Sequence, residues 1–272
     1  MQSIFMCGCF RSNTSISAYI LDHHPRILMS NELCLHSMPL MNQRLMWCTK
    51  RRYINPELPH KRFLRDEGDN LSLNHVKLYH KIRSQKGNID FPTFVEWIKD
   101  CKSPEVDLIG EKSPSFLEGK PVHDHTGIYE KFEAFGPVKV ICCIRDGRDV
   151  ICSQVKRWHY TLPHRRAEHR WQRPTVDACL KGKMTWYHYM ASWERWKSNT
   201  NLPWFELHYG RLIEDMPTEV TKLAEFLGVD AEPLQGAFQQ HFKPVSEWRE
   251  ENPAMKLPDE WKKMLELHNF SS

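Results

Sequence analysis

The chain has 272 residues and a mass of 32.3 kDa, with 40% hydrophobic and 26% charged residues, a net charge of +4 and a pI near 8.5. That balance belongs to a globular protein able to bury a sizeable core, and its mild basicity suits an anionic small ligand while excluding a dedicated nucleic-acid binder. Nine cysteines, an odd number with no C-x-x-C pair, exclude a disulfide framework or a cysteine zinc site and predict reduced, buried thiols.

Ile4 to Cys7 reads as a short apolar strand, Gly8 to Asn13 as a tight polar turn, and Thr14 opens a helix. Strand, turn and helix N-terminus in that order make an anion cradle, because the first N–H groups of a helix lack partners and the dipole favours negative charge. Gly8, Asn13, Thr14 and Ser15 fall in the frame of the phosphate-binding pattern G-x-x-x-x-G-K-S/T with two substitutions. Asn13 replaces the second glycine and tolerates a left-handed backbone. Thr14 replaces the lysine, and Arg11 supplies a cation from mid-loop instead. The same residues are compatible with an ordinary strand–turn–helix carrying a surface arginine.

The first helix ends at His23-His24-Pro25. Ile27 to Met29 reads as a second strand, which puts Glu32 just past a strand end, where ligands sit in open α/β sheets. From Met41 to Arg83 ten Lys and Arg face four Asp and Glu, which fits either a solvated face or an excursion lining an acceptor pocket. Leu73 to Lys86 has partial helical periodicity. Phe91 to Cys101 is predicted as a helix with Phe94, Val95 and Ile98 inward. Val106 to Ile109 reads as a third strand leading into Gly110-Glu111-Lys112-Ser113-Pro114, so Lys112 is expected at its end.

Val122 to Phe135 is predicted helical. Val138 to Ile144, VKVICCI, is the clearest buried strand. It runs directly into Arg145-Asp146-Gly147-Arg148-Asp149 and a helix carrying Ser153. The arginine at the strand tip and the serine two turns on are placed to share one anionic group, or Arg145 simply pairs with Asp149. Arg165, Arg166, Arg170 and Arg173 crowd the next loop. Ala178 to Lys197 is predicted as one long helix whose stripe of Trp186, Tyr189, Trp193 and Trp196 reads as core. Trp204 to Leu207 is a strand ending in His208-Tyr209, and Pro217 to Leu227 a helix closed by Gly228. The tail from Gln235 onward is expected to hold short helices and turns, with Lys243, Ser246 and Trp248 as polar contacts. No cluster with metal-ligand spacing stands out. Alternating strands and helices predict one α/β domain over 1–272, a central parallel sheet flanked by helices around a P-loop-like nucleotide-binding core.

With these pieces in place, the chain resembles the sulfotransferases that use 3′-phosphoadenosine 5′-phosphosulfate (PAPS). Phe10 to Ser15 is similar to the family's R-S-G-T-T loop for the 5′-phosphosulfate, and Ile144 to Ser153 to its R-D-x-R-D strand and helix for the 3′-phosphate. Tyr209-Gly210-Arg211-Leu212 through Phe226-Leu227-Gly228 looks like its Y-E-D-L…F-L-G block, and Gly110 to Pro114 like its E-K-x-P segment. The spacing of His24-Pro25 and Glu32 from Arg11 is similar to the tyrosylprotein and Golgi-type carbohydrate branch. Asn13 and Ser15 depart from the loop pattern, and Gly210-Arg211 from Glu-Asp.

The resemblance implies a PAPS-dependent sulfotransferase acting on a small-molecule, carbohydrate or peptide acceptor, leaving 3′-phosphoadenosine 5′-phosphate (PAP). It nominates Glu32 as general base, with Lys112 and Arg11 at the leaving group. Ser12, Asn13, Thr14 and Ser15 are the loop donors. Arg145 and Ser153 are expected at the 3′-phosphate, with Tyr209 and Ser246 near the nucleotide. The segments 41–105 and 157–185 are expected to serve the acceptor. No metal, nucleic acid or membrane span is implied. A homodimer is compatible, and the lack of a leader-like start or apolar span points to the cytoplasm. Two rival readings are a P-loop kinase or NTPase, which calls for a Lys at Thr14's position and a Mg²⁺-holding Asp after a second strand, neither of them apparent, and a non-catalytic binder of phosphorylated adenosine nucleotides or acidic polymers. Within the family, a histidine base such as His36 is the alternative to Glu32.

Overall fold

Five apolar runs pair as parallel strands of a single sheet in the order β2-β3-β1-β4-β5. They are β1 (Gln2–Gly8), β2 (Ile27–Asn31), β3 (Leu108–Lys112), β4 (Val138–Ile144) and β5 (Trp204–His208). The computed structural model describes residues 2–31, 81, 84, 90–112, 137–160, 175–181, 185–243 and 255–270. The helices over these residues are α1 (Thr14–Asp22), α2 (Phe91–Cys101), α3 (Gly147–Tyr160), α4 (Val176–Lys181) and α5 (Trp186–Lys197). They are followed by α6 (Tyr209–Glu214), α7 (Met216–Leu227), α8 (Ala231–His241) and α9 (Asp259–Leu267).

The period-2 alternation of the strands feeds two cores. Ile4, Met6, Ile141 and Cys143 point to one face, against Ile20 and Leu21 of α1, Leu223 of α7 and Phe238 of α8. Phe5, Cys7, Val140 and Cys142 point to the other, against Val150 of α3, Trp186 and Trp193 of α5 and Trp261 of α9. Because both faces are covered, the central strands are continuously apolar, as a parallel sheet requires. Among the described residues, the cysteines are free thiols. Burial pushes Cys143 up to about 12, so it stays a neutral core residue.

The α/β class, the parallel sheet and the VKVICCI strand agree with the sequence reading. Four boundaries differ. β3 starts at Leu108 and runs through Lys112, later than the apolar run suggested. The polar Glu111 and Lys112 are 0% and 3% exposed, because β3 is flanked on both sides by β1 and β2. The long helix predicted from Ala178 is two, α4 and α5, with Thr185 in an extended conformation before the second. Tyr209 begins a helix directly at the end of β5, and α8 starts well before the predicted tail. The predicted helix over Val122 to Phe135 lies outside the described residues. So do the arginines from Arg165 to Arg173, the side chains of Phe94, Val95 and Ile98, and most of Leu73 to Lys86.

Candidate functional site

β1 lies between β3 and β4. After β1 the chain crosses towards the β2 edge, whereas after β4 it continues towards β5. The C-terminal ends of β1 and β4 therefore flank a topological switch point, the crevice in which open α/β sheets bind ligands. The two stretches singled out in the sequence, Gly8 to Ser15 and Arg145 to Ser153, leave the sheet at this crevice.

The turn after β1 is shaped by its backbone. Gly8 has φ 146°, and a Cβ there would lie 2.7 Å from the carbonyl oxygen of Cys143. Arg11 and Asn13 both adopt positive φ, 74° and 66°, while Ser12 between them does not. Changes in the sign of φ of this kind are the backbone pattern of anion-binding nests, although the Ser12 N–H is itself taken, donating to the Cys9 carbonyl at 3.0 Å. Asn13 takes the left-handed position expected of it and caps α1 without a side-chain hydrogen bond. The helix start thus leaves backbone donors that this residue does not close. Ser12 and Thr14 are buried; Asn13 and Ser15 are half-buried.

The turn after β4 is shaped by side chains. Asp146 caps α3, accepting from the backbone N–H of Arg148 at 2.8 Å and from its guanidinium at 2.6 to 3.1 Å. Arg145 is 5% exposed. Its guanidinium carbon sits 4.5 Å over the Tyr209 ring, Nη1 donates to the Arg11 carbonyl at 3.2 Å, and Nε lies 3.8 Å from Asp149. The two turns are joined directly, for Arg11 Nε donates to Ser153 Oγ at 3.0 Å. Arg11, Arg145 and Ser153 thus form one cluster, and Tyr209 belongs to it as the platform under Arg145. The Asp149 pairing foreseen as an alternative is present as well, at 3.8 Å.

Lys112, the last residue of β3, is buried and in register with Met6 of β1 and Asn31 of β2. The end of β2 thus lies beside it. Glu32, the next residue of the chain, lies outside the described residues, as do Ser246 and His36.

The sequence reading missed the braces. Trp186 donates its indole N–H to the Arg145 carbonyl at 2.8 Å. Gly147 permits this approach, since a Cβ there would lie 2.6 Å from the Trp186 ring. Tyr189, one turn along α5, meets Phe10 edge-on at 5.8 Å between ring centroids. The aromatic stripe is core, as predicted, and it also fixes both halves of the site. Helical spacing alone carries no sign of that second task.

Backbone N–H groups at a helix start, a half-buried arginine in the turn, and a buried arginine and lysine at adjoining strand ends are the kinds of group that suit a polyanionic ligand. The sulfotransferase family model matches residues 3–233, which span both turns and the block after β5. The chain belongs to the sulfotransferase family. No curated protein sequence matches it. Solved structures place it in the same fold. The sulfotransferase domain of the Synechococcus PCC 7002 olefin synthase is 17% identical with a TM-score of 0.55, covering 100% of this chain and 96% of that one. The sulfotransferase domain of the curacin biosynthetic pathway is 16% identical with a TM-score of 0.59, covering 98% and 97%. A Mycobacterium avium sulfotransferase is 12% identical with a TM-score of 0.52, covering 98% and 75%. This sulfotransferase therefore carries its family's fold at low sequence identity, and the resemblance read from the motifs holds at the level of the family.

Proposed function

We propose that the protein transfers the sulfuryl group of PAPS to a hydroxyl or amine of a small-molecule, carbohydrate or peptide acceptor. The observation that carries this reading is the Arg11–Ser153 hydrogen bond, which joins a backbone anion cradle to a guanidinium site at the switch point. Two anion sites held at a fixed separation suit a nucleotide with phosphate on both its 3′ and 5′ sides. The donor supplies a sulfuryl group on a phosphate leaving group. Ser12 to Ser15 bind its 5′ end and Arg145 with Ser153 its 3′-phosphate.

In this reading the acceptor oxygen bonds to sulfur as the sulfur–oxygen bond to the 5′-phosphate breaks. The acceptor proton passes to the Glu32 carboxylate. Arg11 and Lys112 neutralise the charge growing on the leaving oxygen, so positioning and electrostatics carry the rate. The register of Asn31 with Lys112 supports Glu32 as the base, because it brings the chain leading to Glu32 beside the cation that faces the leaving group. The motif spacing of Glu32 from Arg11 supports the tyrosylprotein and carbohydrate branch.

The test is transfer of radiolabelled sulfate from PAPS across phenols, sugars, alcohols, amines and acidic tyrosine peptides. Glu32→Ala and His36→Ala are compared on the best acceptor. Glu32→Ala is expected to lose at least about 10²-fold in kcat with PAP affinity kept. Unchanged turnover in that variant, with loss in His36→Ala, assigns the base to the histidine instead.

A further inference from the structure

At the β5 edge, one strand beyond the Arg145 corner, lies a second group of ionisable side chains that sulfuryl transfer does not use. Glu206 and His208 project from β5, and His268 follows α9; the ligand atoms of the three all lie within 4.8 Å of one another. Glu206 Oε1 accepts from Trp193 Nε1 at 2.7 Å and from Lys197 Nζ at 2.6 Å. Its other oxygen, Oε2, is hydrogen-bonded to His208 Nε2 at 3.1 Å, a contact that an ion between the two atoms would replace. The His268 side chain is 2% exposed; its Nε2 makes no hydrogen bond and lies 3.2 Å from Glu194 Oε1. Glu194 in turn pairs with Lys197 at 2.7 Å.

Two carboxylates here face a single ammonium, leaving a negative charge in excess beside two buried imidazoles. A buried charge needs compensation. We propose that Glu206, His208 and His268 form a binding site for a zinc-class divalent cation, with Glu194 at its border. Two imidazole nitrogens and a carboxylate oxygen are a donor set that zinc accepts in tetrahedral geometry. Ligands at about 2.0–2.1 Å from such an ion are about 3.3 Å apart, close to the observed Glu206–His208 spacing. Hydrogen bonds from Trp193 and Lys197 fix the far oxygen of Glu206, as outer partners orient ligating carboxylates. The ion's role is structural. It ties the C-terminal segment to β5, whose next residue, Tyr209, supports Arg145.

The experiment measures zinc per folded chain by elemental analysis after equilibration against buffered free zinc, together with the visible spectrum of the cobalt-loaded protein. The expected result is a single ion per chain, the d–d bands of low-coordinate cobalt with imidazole ligands, and a zinc-dependent rise in melting temperature. His268→Ala and Glu206→Gln lose the uptake. His241→Ala keeps it, controlling for the surface pair His23 and His241, whose ring centroids are 4.7 Å apart. Should a cluster variant fail to fold, the wild-type cobalt spectrum still decides. No stoichiometric uptake means that a proton balances the charge, and overturns the proposal. Uptake lost in His241→Ala but kept in His268→Ala overturns it too.

Discussion

The two strand-to-helix turns that meet at the switch point are built by opposite means. After β1 the chain spends backbone strain, with left-handed Arg11 and Asn13, and no side-chain cap closes the N–H groups that start α1. After β4 it uses an ordinary cap, since Asp146 closes the start of α3, and the Arg145 guanidinium is held over the Tyr209 ring. On the proposed reading the first turn is an amide site, sensitive to backbone geometry. The other is a guanidinium site, sensitive to whatever holds the arginine. The two turns are also tied to each other, by Arg145 to the Arg11 carbonyl and by Arg11 to Ser153, so each substitution is read for both affinity and stability.

The largest effect is expected for Arg145→Ala. Losing a charge-assisted contact of this kind is worth about 1.5–3 kcal/mol, so PAP affinity should fall roughly tenfold to a hundredfold by calorimetry. The substitution also removes the donor to the Arg11 carbonyl and the guanidinium beside buried Asp149, so a loss of stability in denaturant titration is expected with it, and circular dichroism checks that the protein is still folded at the assay temperature. Gly8→Ala attacks the other turn. Its Cβ would meet the Cys143 carbonyl on a neighbouring strand at 2.7 Å, and φ 146° disfavours any side chain. Stability should fall by about 1–3 kcal/mol in denaturant titration, with nucleotide affinity lost alongside it.

Smaller is Asn13. Asn13→Ala should cost about 1 kcal/mol, whereas Asn13→Gly should be tolerated, because the left-handed position penalises a Cβ and asparagine makes no cap bond to lose. If Gly is as harmful as Ala, the side chain itself matters and the backbone account of this turn fails.

The smallest effect is on pH. His24 lies between α1 and β2, its Nδ1 accepting from Arg26 N at 3.1 Å. Burial, and then the Arg26 charge, hold its imidazole below the ordinary value of 6.5. The folded state thus prefers the neutral ring, and the unfolded chain binds more protons as pH falls through that value. Stability should be full above about 6.5 and decline below it, and His24→Gln should remove that step from a melting-temperature profile.

Much of this was legible in residues alone. VKVICCI is β-branched and apolar because it is covered on both faces, and Asn13 announced a left-handed turn. β3 was displaced because its last residues, Glu111 and Lys112, look like loop while being buried at the site end of the sheet. The stripe of Trp186 and Tyr189 announced burial, but an indole N–H reaching the Arg145 carbonyl depends on where two distant segments pack. The Glu206, His208 and His268 group was invisible for the same reason. About sixty residues separate its outer members, and no spacing rule links a strand end to the far side of a late helix.

In the proposed function a single nucleotide bridges the amide site and the guanidinium site. This bridging is tested most directly by comparing the affinities of PAP and adenosine 5′-monophosphate for wild-type protein and Arg145→Ala. The account predicts that the 3′-phosphate strengthens binding to wild type by at least about tenfold, and that this advantage disappears in Arg145→Ala. Equal affinity of the two nucleotides for wild-type protein, or an advantage that survives loss of Arg145, contradicts it.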